Sequence, residues 1–142
     1  MRLWHKDLIP ALLREQLVAQ WRELSAIAGS IQKNGTPNHI LVNFVLKYDY
    51  DHFINYALEV RTEMMTRGYR TMDSVWNKIV ALKPDWKHLT HEEIYKYKMN
   101  PEYLKICYFN LKEKWICEGI KEQDWDKISQ LYQHIMEELK YV

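Results

Sequence analysis

Leu13-Arg14-Glu15-Gln16-Leu17-Val18-Ala19-Gln20-Trp21-Arg22-Glu23-Leu24-Ser25-Ala26-Ile27-Ala28-Gly29-Ser30-Ile31 is the stretch on which the fold turns. Leu13, Leu17, Trp21, Leu24, Ala28 and Ile31 recur at spacings of three and four, which is one apolar stripe of an α-helix. Pro10 stands where a first helical turn accepts proline. Gly29 lies inside the pattern and weakens its last turn. Asn34-Gly35-Thr36-Pro37-Asn38 then forms a turn cluster.

The same period returns downstream. Phe53, Ala57, Val60 and Met64 mark a helix over about Asp51 to Arg67, with Gly68 as its left-handed stop. Asp73 is placed to cap a helix carrying Val75, Trp76, Ile79 and Leu82, which ends before Pro84. Thr90 and Glu93 have capping-box spacing and predict a helix of one or two turns. Asn100-Pro101 predicts another start, with Leu104, Tyr108, Leu111, Trp115 and Glu118 on one side and Gly119 as the end. Asp124 opens an extra C-terminal helix with Ile128, Leu131, Tyr132, Ile135 and Leu139 inside. Residues 39–48 are rich in β-branched and aromatic side chains, yet no other segment offers a partner strand. They read as a short buried helix or an extended linker. With no repeat and no linker, residues 1–142 are expected to form one compact, multi-helix, all-α domain.

Composition narrows the class. The 142 residues are 47% hydrophobic and 27% charged, which excludes a disordered chain. The longest apolar stretch, Ile40 to Leu46, is far short of the ~20 residues of a membrane span. The opening Met1-Arg2-Leu3-Trp4-His5-Lys6-Asp7 places charges before any apolar run and does not read as a secretory signal. Cys107 and Cys117 stand ten residues apart, ~15 Å along one helix. A disulfide needs Cα atoms within ~7 Å. They read as free thiols of a reducing compartment, the cytoplasm.

Net charge is only +1, but it is unevenly spread. Residues 1–48 hold six Lys/Arg against three acids, and residues 122–142 two against five. The near-neutral total argues mildly against a nucleic-acid binder, and if a polyanion binds, the amino end is the place for it. His88 to Glu93 is better read as a helix start with acids in its first turn than as a metal site, and no zinc-type spacing occurs. Tyr95, Tyr97, Tyr103, Tyr108 and Phe109 read mainly as core rather than as a base-stacking platform. Asp49 and Asp51 read as turn and cap residues, not an acid–base pair. Arg22 and Glu23 flank the apolar stripe, and Ala19 and Ala26 leave room around the Glu23 carboxylate. Taken alone, such a pair is usually solvated surface.

Three segments carry a family resemblance. Met1-Arg2-Leu3-Trp4-His5 followed by Trp21-Arg22-Glu23-Leu24 is the first. Gly35-Thr36-Pro37-Asn38-His39-Ile40-Leu41-Val42-Asn43 is the second, and Thr66-Arg67-Gly68-Tyr69 the third. Together they resemble the pyrimidine-dimer DNA glycosylase family of the phage endonuclease V type, in its cellular branch, over roughly residues 1–119. The last helix has no counterpart.

The resemblance implies a base-excision repair enzyme, a glycosylase with AP-lyase activity on double-stranded damaged DNA. In that family an α-amine attacks the deoxyribose C1′ and expels the base as an imine forms. An ordinary α-amine has a pKa of about 8, so part of it is neutral near pH 7. The resemblance makes Met1 the nucleophile and Glu23 the catalytic carboxylate. Arg22 and Arg2 become DNA contacts, and His39 lines the site. It implies no metal and no cofactor. A monomer without membrane association is expected. The chain departs from the family pattern at Arg2, where a small residue would be exposed after processing, and at Ala26, where a second helical arginine stands. A DNA-binding module without chemistry and a helical protein-interaction domain are the alternatives.

Overall fold

A computed structural model describes residues 1–140. A 3-10 helix over Lys6–Ala11 precedes α1 (Arg14–Asn34), and a second 3-10 helix over Asn43–Lys47 precedes α2 (Tyr50–Thr66). α3 (Asp73–Val80), α4 (Pro101–Ile116) and α5 (Glu122–Lys140) follow, and no strand occurs among the described residues. The fold is all-α, as the periodicity predicts.

α1 is the central element, packed on α2 and α3, while α5 covers α4 and the first 3-10 helix. Leu17, Trp21, Leu24 and Ala28 of its predicted stripe are buried, Leu13 and Ile31 are partly buried, and Ile27 joins them in the core. The helix runs through Gly29, where the flexible end of Lys78 passes close: a Cβ there would stand 2.9 Å from Lys78 Nζ. It stops at Gly35, whose φ of 76° is the left-handed cap. Gly68, at φ 80°, closes the end of α2 in the same way.

Pro10 lies in the 3-10 helix and not in the first turn of α1. Leu12 and Leu13 run extended between the two, which carries Leu12 into the core. The Arg67 guanidinium satisfies the carbonyls freed there, donating to Leu12 O at 2.6 Å and Pro10 O at 3.0 Å. Asp73 is the first residue of α3 rather than its cap, and it pairs with Arg61 at 2.6 Å. That helix ends at Val80, leaving Leu82 outside and 37% exposed.

The Thr90–Glu93 capping box forms, with Thr90 N donating to Glu93 Oε1 at 3.2 Å and Glu93 N to Thr90 Oγ1 at 3.3 Å. No helix grows from it; residues 91–98 are a run of turns. Tyr95 stops propagation with a φ of 49°. Its ring is fully buried, stacked on His52 at 5.4 Å and met edge-on by Phe44 at 5.2 Å. Burial of that ring outweighs the local helix signal. Of the remaining aromatics in the run, Tyr103 and Tyr108 are core, whereas Tyr97 and Phe109 are exposed.

Asn100 caps α4 by accepting from Tyr103 N at 2.9 Å, as predicted. The left-handed residue beyond its end is Glu118, at φ 63°, and not Gly119. Gly119 is needed for approach instead: its N–H donates to Lys114 O at 2.7 Å, and a Cβ would sit 3.2 Å from that oxygen. α5 begins at Glu122 and docks by aromatic stacking, Tyr132 on Tyr108 at 3.8 Å and Trp125 on Trp115 at 5.0 Å. Asp49 precedes α2 as its cap residue, and Asp51 is a buried anchor that accepts from Lys83 Nζ at 3.1 Å.

Lys6 ties the amino end to the turn run. Lys6 is 5% exposed, and its ammonium donates to His91 O, Glu92 O and Ile94 O at 2.6, 3.0 and 2.7 Å. His91 closes the same joint between Asp7, 2.5 Å from Nε2, and Glu59 on Nδ1.

Candidate active site at the amino terminus

The first residues are core, not a tail. Leu3, Trp4 and His5 are 0, 7 and 2% exposed. Burying this strand-like segment obliges its backbone to find partners. Three helices supply them. Gln20 of α1 accepts from Trp4 N at 2.8 Å and donates to Arg2 O at 3.0 Å. The Tyr56 hydroxyl of α2 lies 2.6 Å from Trp4 O and 2.8 Å from Gln20 Oε1. The Tyr103 hydroxyl of α4 donates to Leu3 O. Burial holds both phenols well above their ordinary pKa, so they remain donors.

This clamp leaves Met1 at the surface, 46% exposed, with its α-amine within electrostatic reach of Glu23. Glu23 is half-buried one turn beyond Gln20, whose Nε2 donates to Glu23 Oε2 at 3.1 Å. Burial raises the Glu23 carboxyl above its ordinary value, and the positive charges of the α-amine, Lys114 and His39 pull it back. The arrangement is a half-buried carboxylate whose hydrogen bond comes from the Gln20 amide.

The predicted residues do not all take one role. Met1 and His39 are both near enough for charge on them to act on Glu23. Arg22 points to the neighbouring groove, a cavity of about 400 Å³ lined by Arg14, Trp21, Arg22, Tyr69 and Arg70 and by no carboxylate. Arg2 is half-buried, with its guanidinium over the Trp4 ring at 5.8 Å and its charge felt by Tyr103 and Cys107. It therefore helps to fix Trp4. Cys107 is buried and its thiol pKa is raised by burial, so it offers no thiolate.

Gln20 and Lys114 were not singled out by sequence reasoning. Gln20 carried a signal: it is a polar residue next to the apolar stripe, and it is fully buried. Lys114 carried none, because only the docking of α4 brings its Nζ to 5.4 Å from the Trp4 ring. Among the described residues no group of three or more His, Cys, Asp and Glu side chains could hold a metal ion. No helix there is long and apolar enough to cross a membrane.

Residues 2–4 are thus held from three helices, and Glu23 stands half-buried against the amide of Gln20, which makes two of those bonds. The family model described as pyrimidine dimer DNA glycosylase matches residues 1–77, more than half of the chain. The chain belongs to the pyrimidine dimer DNA glycosylase family. The match takes in Met1, Arg2, Gln20, Arg22, Glu23 and His39, and ends within α3, short of the residue 119 to which the resemblance extended. No curated protein and no solved structure matches the chain.

Proposed function

We propose that the chain excises damaged pyrimidines from duplex DNA through an imine on the Met1 α-amine, with associated AP-lyase cleavage. One observation supports the reading: Gln20, which holds Trp4 N and Arg2 O in the buried clamp on residues 2–4, also donates to Glu23 Oε2.

In the first step the amine lone pair attacks C1′ of the damaged nucleotide. The C1′–N bond breaks, and the base leaves with that electron pair and takes up a proton. The nitrogen sheds its proton as the sugar ring opens, giving the imine. Glu23 stabilises the cationic sugar and relays protons between the amine and the ring oxygen. The imine acidifies the 2′ hydrogen. Loss of that proton expels the 3′ phosphate and cuts the strand. Arg22, with Arg14 and Arg70 along the groove, binds phosphates while the nucleotide is turned out of the stack. Lys114 supports the ionised form of Glu23.

Reductive trapping tests this. The untagged protein is mixed with duplex carrying a thymine dimer or an abasic site, and borohydride is added. A covalent band that maps to Met1, and is strongly diminished in Glu23→Gln, is expected. Absence of a band with a demonstrably free amino terminus would overturn the chemistry and leave a DNA-binding module of the same fold.

A further inference from the structure

Residues 38–43 build a hydrogen-bonded turn just beyond the end of α1, the helix that carries Glu23. Asn38 is left-handed, at φ 55°. His39 N donates to Asn43 Oδ1 at 3.0 Å, and His39 O accepts from Val42 N and Asn43 N at 3.0 and 2.9 Å. The His39 ring takes part as well, with Nδ1 accepting from Leu41 N at 3.3 Å. Val42 and Val45, 0 and 5% exposed, root the turn in the core. Its tip faces outward: Ile40 is 88% exposed and Leu41 43%.

A lone exposed isoleucine is ordinary on a protein surface. This one differs in three respects. It sits at the apex of a turn held by four hydrogen bonds within residues 39–43 and by a fifth from Asn38 N to Thr36 Oγ1. The loop that carries it is tied at its base to α1, where Ser30 Oγ donates to Thr36 O at 2.6 Å, two turns along the same helix from Glu23. The stretch from Lys33 to Lys47 contains no carboxylate, so nothing near the tip in sequence repels a phosphate backbone.

We propose that Ile40, backed by Leu41, is a wedge that enters the base stack of duplex DNA and holds it kinked while the target sugar reaches Glu23. The inference rests on the reading under Proposed function. Apolar side chains pushed between base steps unstack and kink a duplex, and a stiff, preorganised tip does so with little loss of its own entropy. A nucleotide that must leave the stack needs something to stabilise the gap it opens. The occupant of this apolar tip is therefore base-paired DNA at the lesion. Single-stranded DNA has no continuous stack to open and gains nothing from the wedge.

That contrast supplies the test. Both tip residues are exposed, so Ile40→Ser/Leu41→Ser leaves the core intact. Borohydride trapping rates are measured on a duplex and on a single strand, each with one abasic site, and 2-aminopurine opposite the site reports unstacking. The expected result is a fall of tenfold or more on the duplex, loss of the fluorescence rise, and a single-strand rate within twofold of the parent. Ile40→Phe with Leu41 intact should keep the duplex rate. A double variant that traps the duplex within twofold of the parent would overturn the wedge while leaving the enzyme reading in place. Equal losses on both substrates would also overturn it, because the tip would then act on the chemistry or the fold. A parent protein that traps neither substrate would overturn the enzyme reading, and the wedge with it.

Discussion

Gln20 and Glu23 stand one turn apart on α1 and share a hydrogen bond, Gln20 Nε2 to Glu23 Oε2 at 3.1 Å. The same amide holds Arg2 O and Trp4 N, so one side chain sets the position of the carboxylate and of the chain start relative to each other. Residues at this spacing share a helix face, which lets a single buried amide serve both.

Gln20→Ala is expected to lower stability by several kcal/mol, since each buried group left without a partner costs about 1–3 kcal/mol. Imine trapping should fall further than the loss of folded protein accounts for. Gln20→Glu replaces a donor with a carboxylate against Arg2 O and Glu23, and should be worse than alanine. Urea titration beside single-turnover trapping separates the two effects. An alanine variant with parental stability would mean that the clamp holds nothing.

The pH dependence of Glu23 has opposite signs for activity and stability. Its carboxyl is raised by burial and must be ionised to act, so the acid limb of the trapping rate should lie above the ordinary carboxylate value of about 4.3. Lys114→Ala removes an opposing charge and should move that limb higher, whereas Lys114→Arg should leave it in place. A raised folded-state pKa contributes stability below the unfolded value, and that contribution is lost as pH rises through the folded one. Glu23→Gln should therefore melt higher than the parent at pH 7 and lose the advantage near pH 4. Coincident melting curves at pH 7 would contradict this.

His91 gives a second pH effect. Hydrogen bonds to Asp7 and then Glu59 raise its pKa to about 9 against an ordinary value of 6.5. Its contribution to stability is complete below about pH 6.5 and disappears as pH rises through about 9. The imidazole side chain is 41% exposed, so solvent screens the effect and the fall should be modest. His91→Gln should flatten the melting temperature between pH 6 and pH 10. A parent protein whose melting temperature is level across that range would refute the assignment.

Two helix positions can be improved. Gly29→Ala adds a Cβ near the far end of the flexible Lys78 side chain, which can move, and gains up to ~1 kcal/mol of helix propensity. Glu118→Gly relieves a left-handed residue and should gain about 1 kcal/mol. Gly119→Ala meets the Lys114 carbonyl, which cannot move without disturbing the end of α4, and should lose stability. Denaturant midpoints of the three variants check the order.

Much of the helical plan was legible. Leu17, Trp21 and Leu24 announced α1, and Gly35, Gly68 and Asn100 marked helix ends at which they are found. Such signals are local: they depend on side chains three or four residues apart and on the φ that glycine permits. The misreadings fell where distant packing overrode them. Tyr95 gave up a helix that its capping box had begun, because a buried ring at φ 49° was worth more than another turn. Residues 39–48 looked ready for burial, yet only Val42 and Val45 were taken into the core while Ile40 was turned out.

The candidate site divides along the same line. Arg22-Glu23, in its place on α1 and with its family resemblance, could be read from residue order, since one helix holds both. What the residue order by itself determined is thus the helical class, most of the helix ends and the carboxylate to examine. The tertiary structure decided that residues 2–4 are clamped by three separate helices, that Arg2 stacks on Trp4, and that Lys114 Nζ comes over the same ring. The physical reason is that a buried backbone takes its partners from whatever packs against it, and those partners, Gln20, Tyr56 and Tyr103, lie up to 100 residues away along the chain.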